Sequence, residues 1–265
     1  MNSYSLIFST LILTHTLFGY EDSDIDGVDD AIDLCPDTPF DKLVDEDGCP
    51  EDKHYWGAFT LQLGNDISLD EEHNLIKNYS FFGNYNYKKW NFSLSNSQLT
   101  TYDGNDNASS SRGDIYLNLG YEIDNTYLQS NLSFGTKIAT ADENIGTGEN
   151  DYFVTLNLSH VTDKQVILFS QFGYTLTGDS PLIEYQNSFA YTLGTGYFIL
   201  PHWYSALSYD YAQSIYSSTP NYQSLSWMNS YTFLDDYYLS LNYTYGLDNI
   251  SYPHTLSLKL GVTFE

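Results

Sequence analysis

Asp22, Asp24, Asp26, Asp30 and Asp33 stand at positions 1, 3, 5, 9 and 12 of a short stretch whose sixth residue is Gly27 and whose seventh is Val28. That is the ligand spacing of a calcium loop: carboxylates at 1, 3 and 5, a glycine for the sharp turn, a backbone carbonyl at 7, and further oxygens at 9 and 12. A hard divalent cation takes six to eight oxygens, and carboxylates held this close without one would repel each other strongly. Asp29 falls between ligand positions and is expected to face solvent. The plainer reading is a solvated acidic linker. Gly27 at the turn, and Cys35-Pro36 directly after the loop, favour Ca2+ over that reading.

Other constellations carry less. Ser159-His160 is the nearest approach to a nucleophile and base, but neighbours on a strand face opposite sides and cannot share a proton. His54, His73, His202 and His254 are isolated at strand ends or in loops, with no partner spacing of a zinc site. No catalytic residue is expected. Nine Lys plus Arg against 35 Asp plus Glu, a formal net charge of -26, leave no basic surface for phosphates, so a nucleic-acid partner is excluded.

From Asp22 through Cys35-Pro-Asp-Thr-Pro39 to Val44-Asp-Glu-Asp-Gly-Cys-Pro50 the chain resembles the thrombospondin type-3 repeat of OmpA-like outer-membrane proteins of Gram-negative bacteria. The match spans about a tenth of the sequence. It implies a calcium-binding module over residues 20–53, with Asp45 and Asp47 as weaker candidate ligands in a second acidic cluster. Cys35 and Cys49, the two cysteines of the chain, both lie inside it and in an exported protein should form a disulfide. Closing a loop of about 15 residues would stabilise so small a unit by roughly 3 kcal/mol on the chain-entropy model. In the better-known proteins the repeat precedes a peptidoglycan-binding domain. Here strands follow it, so cell-wall anchoring is not implied.

The elements around this module read as follows. The apolar run Leu6 to Phe18, ending at Gly19, is expected to be a signal peptide (residues 1–19) cleaved near Gly19 or Tyr20. Beyond the N-terminus no run reaches the roughly 18 apolar residues of a helical membrane span. From residue 54 to 265 one pattern recurs instead, about ten alternating residues and then a turn, as in Tyr55 to Gly64, Trp90 to Gln98, Asp114 to Ile123, Leu75 to Tyr87 and Tyr222 to Phe233. His254 to Phe264 is its cleanest case. Leu256, Leu258, Leu260, Val262 and Phe264 alternate with Ser257, Lys259, Gly261 and Thr263, so one face is apolar and the other polar. No segment supplies an amphipathic helix or a second layer to cover the apolar face, which leaves lipid. A strand of this pattern ending in an aromatic residue resembles the C-terminal assembly signal of bacterial outer-membrane barrels, with one further residue, Glu265, after Phe264.

Counting such segments predicts an all-β fold: a transmembrane antiparallel up-and-down β-barrel of about twelve strands preceded by the small N-terminal calcium-binding module. Twenty-six Tyr and fifteen Phe fit aromatic girdles at two membrane-water interfaces. A mean hydropathy of -0.35 is compatible, because only alternate residues would touch lipid. Short turns at Lys88-Lys89, Asp124-Asn-Thr126, Thr162-Asp-Lys164, Leu200-Pro-His202 and Leu234-Asp-Asp236 alternate with longer loops such as Leu99 to Gly113 and Ala139 to Asp151. That rhythm puts both termini, and the module, on the periplasmic side of a Gram-negative outer membrane.

By parity the lumen is lined by Asn84, Asn86, Asn91, Ser93, Asn118, Asn131, Asn157, Ser159, Gln171, Asn242 and Thr244. Such groups suit water or a small polar solute such as a sugar, or else satisfy one another in a filled barrel. Lys259 is near mid-strand and is the candidate pore residue, or a lysine neutralised by a neighbouring acid. Lys137 and Glu122 lie nearer strand ends. Trp56, Tyr127, Phe198, Tyr204 and Tyr238 are expected either to form an inward aromatic collar or to belong to the outer girdle. Two functions remain: a channel or transporter for small polar solutes, or a non-conducting barrel that anchors the module and presents acidic loops. The partners expected are outer-membrane lipid, a small polar solute, and a periplasmic or cell-wall partner for the module.

Overall fold

The structure, a computed structural model, describes the chain apart from residues 1–21, 25–27, 29, 31, 39–43, 51–56, 70–74, 103–107, 124–126, 142–147, 179–184, 235 and 265, and apart from the side chains of 99–102, 108 and 109. The signal-peptide expectation lies outside the described residues.

Twelve strands follow one another: β1 (Ala58–Leu69), β2 (Leu75–Tyr87), β3 (Trp90–Tyr102), β4 (Ala108–Ile123), β5 (Gln129–Ile138), β6 (Asp151–Val161), β7 (Ile167–Leu176), β8 (Ser188–Leu200), β9 (Trp203–Ala212), β10 (Tyr222–Phe233), β11 (Tyr237–Gly246) and β12 (His254–Phe264). Each pairs antiparallel with its chain neighbours. β1 also pairs with β12, from Phe59 opposite Phe264 to Leu69 opposite His254, and the sheet closes into a barrel. Closure leaves no edge strand with unpaired backbone groups. Two inward pairs stitch the seam, Thr60 Oγ1 to Thr263 Oγ1 at 3.0 Å and Ser68 Oγ to Thr255 Oγ1 at 2.8 Å.

Alternation along each strand sorts the side chains. On β12 the residues Leu256, Leu258, Leu260 and Phe264 are exposed, while Ser257, Gly261 and Thr263 are buried. No described segment covers the outer wall, where Leu63, Leu207 and Leu260 stand 64%, 59% and 49% exposed. Leucines form its middle band. One rim carries outward Tyr87, Trp90, Tyr121, Trp203, Tyr231, Tyr237 and Phe264, and Tyr174, Phe189, Tyr243 and Tyr245 lie toward the other. This is the arrangement of an apolar belt between two aromatic girdles. Outward polar groups in it are satisfied locally. Trp203 Nε1 donates to Asn229 Oδ1 at 3.2 Å, and Trp227 Nε1 donates to Ser205 Oγ at 3.1 Å.

The sequence boundaries hold for β2, β10 and β12 and need correction elsewhere. β1 runs on past Gly64 to Leu69, which adds Asp66 and Ser68 to the lumen wall. The predicted loop Leu99 to Gly113 is mostly strand, because β3 and β4 stay paired as far as Tyr102 opposite Ala108. A register shift between Asn96 and Gln98 interrupts that pair, and Asn96 Nδ2 donates to the carbonyls of Gly113 and Asp114 at 3.0 and 3.1 Å. A bulge of this kind re-aims the side chains that follow it. Asp114 faces the lumen at this bulge, in step with the inward Tyr116 and Asn118.

The connections at 88–89, 162–166 and 201–202 are short, and this rim is called the turn end; the opposite rim is the loop end. Several turn-end residues take positive φ without being glycine: Lys88 at 52°, Gln165 at 59° and Leu234 at 51°.

Candidate functional site

At the turn end inward side chains of β6 to β10 pack against one another along the wall. Tyr204, Ile167 and Ala206 are 3%, 3% and 5% exposed, and Phe169, Phe198, Val161 and Met228 pack against them. Tyr238 lies across Gly261 and Tyr204 across Gly196, so closely that a Cβ at either glycine would fall inside the ring. Small hydroxyls occupy the remaining wall. Ser230 and Ser240, joined at 3.0 Å, are buried along with Thr60 and Thr263. Of the expected collar, Phe198, Tyr204 and Tyr238 do face inward. Tyr127 does not: it precedes β5 and is 79% exposed. Trp56 lies outside the described residues.

The middle of the barrel is lined as parity predicts, and most of its polar groups meet each other. Gln171 Nε2 donates to Asn157 Oδ1 at 2.8 Å, and Ser159 Oγ to Gln129 Oε1 at 3.2 Å. Thr192 Oγ1 donates to Asp210 Oδ1 at 2.7 Å and Ser226 Oγ to Asp210 Oδ2 at 3.0 Å, so one carboxylate ties β8, β9 and β10 together. His160 faces outward, its Nδ1 2.7 Å from the Tyr127 carbonyl. Ser159 and His160 thus occupy opposite sides of the wall.

Lys259 faces the lumen beside Gly64 and is half-buried, and among the described residues it forms no ion pair. The neutralised lysine is Lys137. It is 4% exposed, and its Nζ lies 2.6 Å from Asp151 Oδ2 and 3.8 Å from Asp114 Oδ2. The same carboxylates hold loops: Asp114 Oδ1 accepts the N–H groups of Thr140 and Ala141 at 2.9 and 2.8 Å, and Asp151 Oδ1 that of Gly178 at 2.9 Å. One buried cation therefore fastens two loop-end segments to the wall.

Above this level the lumen opens into a cavity of about 440 Å³, lined by Asp66, Asn78, Asp114, Tyr116, Tyr252 and Thr255 among others. Asn78 Nδ2 donates to Asp66 Oδ2 at 2.9 Å, and among the described residues Asp66 Oδ1 receives no hydrogen bond. Asp66 was missed in the sequence because β1 was ended at Gly64. Asp114 and Asp151 were missed because they sit where strands meet loops. Even positions continuing the inward parity of β1 were the available signal for Asp66.

The module shows a closed Cys35–Cys49 disulfide, Cα–Cα 4.9 Å. Around it Leu34 N–H donates to Asp47 O at 2.7 Å, Val44 bridges to Pro50, and Thr38, 4% exposed, sits with Oγ1 2.9 Å from Cys35 O and 3.0 Å from Gly48 O. Asp26 and Gly27 lie outside the described residues, and among the described ones no three candidate ligands converge on a metal position. The other loop aspartates are anchored in part. Thr38 N–H donates to Asp24 Oδ2 at 2.6 Å and Cys35 N–H to Asp33 Oδ1 at 2.8 Å. Asp24 Oδ1 is buried and, among the described residues, has no hydrogen-bond donor. Asp30 accepts both the N–H and the hydroxyl of Ser23, which lowers its carboxyl below the ordinary value.

Asp45 and Asp47 have other partners. Asp45 Oδ1 accepts the N–H groups of Asp47 and Cys49 at 3.0 Å each, and Asp47 Oδ2 lies 2.6 Å from Lys88 Nζ in the β2–β3 turn. That hydrogen bond raises the Lys88 ammonium above its ordinary value.

A closed, antiparallel, twelve-stranded barrel with an apolar outside and a polar inside defines the class of outer-membrane β-barrels. No family model matches the chain. Solved structures that share the fold include an outer-membrane channel from Pseudomonas putida F1, 14% identical with TM-score 0.57 over 82% of this chain and 99% of that one. The NanC porin is 12% identical, TM-score 0.56, over 78% and 99%. The KdgM porin, solved in complex with disordered oligogalacturonate, is 10% identical, TM-score 0.53, over 78% and 98%. The chain is built on the fold of outer-membrane channels and porins.

Proposed function

We propose that the protein sits in a Gram-negative outer membrane and conducts small polar solutes through its barrel, with the disulfide-closed module on the periplasmic side. The observation that carries this reading is the pairing of a closed sheet and a two-sided wall, leucine and aromatic rings outside, Asn, Ser, Thr and Gln inside, with an open loop-end vestibule. The shared fold of the Pseudomonas putida channel and the two porins supports it. Proteoliposome swelling tests it: uptake of a neutral monosaccharide faster than in protein-free vesicles is expected, and an equal rate would remove the transport function.

A second reading, a barrel that anchors the module without conducting, is favoured by the buried side chains at the turn end. Tyr204, Ile167 and Tyr238 leave little room there, and a permanently filled turn end would give no swelling at all.

The module is read as a Ca2+ site held by Asp22, Asp24, Asp26, Asp30 and Asp33 with the Val28 carbonyl. The orphaned Asp24 Oδ1 supports it, since a buried carboxylate oxygen without a donor calls for a cation. The ion would supply charge neutralisation and a fixed centre for the loop's oxygens. Asp30, already engaged by Ser23, would serve through water, as position 9 commonly does. Chelation is expected to expose residues 22–50 to protease while the barrel, whose hydrogen bonds need no metal, stays resistant. Equal cleavage with and without chelator would overturn the calcium assignment.

A further inference from the structure

We infer that the loop-end vestibule is a binding site for a hydroxylated solute carrying a positive charge, an amino sugar in chemical terms, and that Asp66 is the residue that holds its ammonium. The inference deepens the transport reading by naming the solute class, and rests on that reading only for the route by which the solute moves on.

The cavity has the size of a small-ligand site. Its roughly 440 Å³ lies within the range of about 300–1,000 Å³ typical of such pockets. Its walls are of two kinds. Tyr116, on an inward position of β4, and Tyr252, from the β11–β12 connection, are 42% and 43% exposed, and both line the cavity. Rings of this kind pack against the C–H faces of a sugar. Between them the wall offers Asn78, Thr255, Ser68 and Ser97 for hydroxyl groups.

Charge decides which sugar. Among the described residues the cavity is lined by Asp66 and Asp114 and by no Lys or Arg. Asp114 is occupied by the N–H groups of Thr140 and Ala141 and faces Lys137. Asp66 is different, because among the described residues Asn78 occupies one oxygen and the other has no hydrogen-bond donor. A partly buried carboxylate with capacity to spare gains from a further donor, and a cationic donor gains most. Lys259 does not fill the role. It stands opposite Gly64, one inward row nearer the turn end than Asp66 opposite Ser257, and forms no ion pair among the described residues. A carboxylate-bearing sugar would meet Asp66 and Asp114 with like charge. The site therefore discriminates against acidic saccharides.

Calorimetric titration of the detergent-folded full chain with glucosamine, glucose and glucuronate tests this, because it reads binding whether or not the barrel conducts. Glucosamine is expected to bind about tenfold or more tightly than glucose, the size of one charge-assisted hydrogen bond, and glucuronate not at all. Asp66→Asn should bring glucosamine to the glucose level, and Tyr252→Ala, in a connection outside the strands, should weaken both sugars while leaving their ratio intact. Glucuronate binding as well as glucosamine, or an unchanged glucosamine preference in Asp66→Asn, would overturn the assignment. Binding without vesicle swelling would leave the site standing and remove transport; swelling without glucosamine binding would do the reverse.

Discussion

At the turn end Thr60 meets Thr263, Ser230 meets Ser240, and Tyr204 and Tyr238 lie flat across glycines of the next strand. At the loop end Tyr116 stands 42% exposed, Asp66 keeps an oxygen without a donor among the described residues, and a cavity remains. Both halves use inward Ser, Thr and Tyr, so residue type does not distinguish them. Fit does. Where Tyr204 and Tyr238 have glycines to lie on and Thr60, Thr263, Ser230 and Ser240 pair their hydroxyls, the interior resembles a protein core. Where Lys137 gathers two carboxylates, the adjoining wall from β12 to β4 borders an open cavity that carries Asp66 and Asp114. On the transport reading, the first half would set how wide the path is and the second what enters it.

The comparison breaks most sharply at Lys137. Replacing it by Met leaves Asp114 and Asp151 buried and facing each other, and removing one partner of a buried ion pair destabilises by about 3–5 kcal/mol. Lys137→Met should therefore lower the temperature at which the folded barrel loses its heat-modifiable gel mobility, and free the segments at Thr140 and Gly178 for proteolysis. Tyr204→Ala acts on the other half. Emptying that position should cost about 3 kcal/mol, and if the turn end sets the width, raise the single-channel conductance severalfold without changing ion preference.

A smaller effect is expected at the loop-end rim. Burial of Asp248 opposes its ionisation, but hydrogen bonds from the Ser251 hydroxyl and from the N–H groups of Gln223, Ile250 and Ser251 outweigh it, so its carboxyl lies below the ordinary 3.8. A lowered folded value means that this contribution is complete above about pH 3.8 and is lost as pH falls through the depressed value. Amide exchange at Ile250 and Ser251 should accelerate below that pH in the wild type. In Asp248→Asn the acid-dependent step should vanish. Exchange that is flat with pH in the wild type would contradict the role given to Asp248.

Much of the barrel could be read from period-2 patterning, and the exceptions share a cause. On β12 every outward residue from Leu256 to Phe264 is apolar because each meets the same apolar surroundings, so the pattern gives the face and both ends of the strand. β1 was cut short at Gly64-Asn65-Asp66 because Asn65, outward, breaks the alternation. The strand continues there because β2 and β12 supply partners as far as Leu75 and His254, which no local pattern reveals. Residues 99–113 were misread for a related reason: beyond the apolar belt neither face must be hydrophobic, and Ser109 to Ser111 remain a strand through pairing alone.

The interior was legible as a list of residues and not as contacts. Lys137 and Lys259 both project inward by parity, but only the fold brings Asp114 from β4 and Asp151 from β6 to the first and leaves the second apart. Turns were found from loop polarity, while the positive φ of Lys88, Gln165 and Leu234 has no glycine to announce it. The module was legible as a spacing. Its disulfide is present, Asp45 and Asp47 serve a hydrogen-bonded turn and a contact to Lys88, and Asp26 lies outside the described residues.

The most direct test of the whole account is the reversal potential of the purified protein in a planar bilayer under a salt gradient. An open, wet lumen with Asp66, Asp114, Asp151 and Asp210 against Lys137 and Lys259 predicts discrete conductance steps and a cation-preferring potential that moves toward zero in Asp66→Asn. An electrically silent bilayer, or steps that prefer anions, would contradict it.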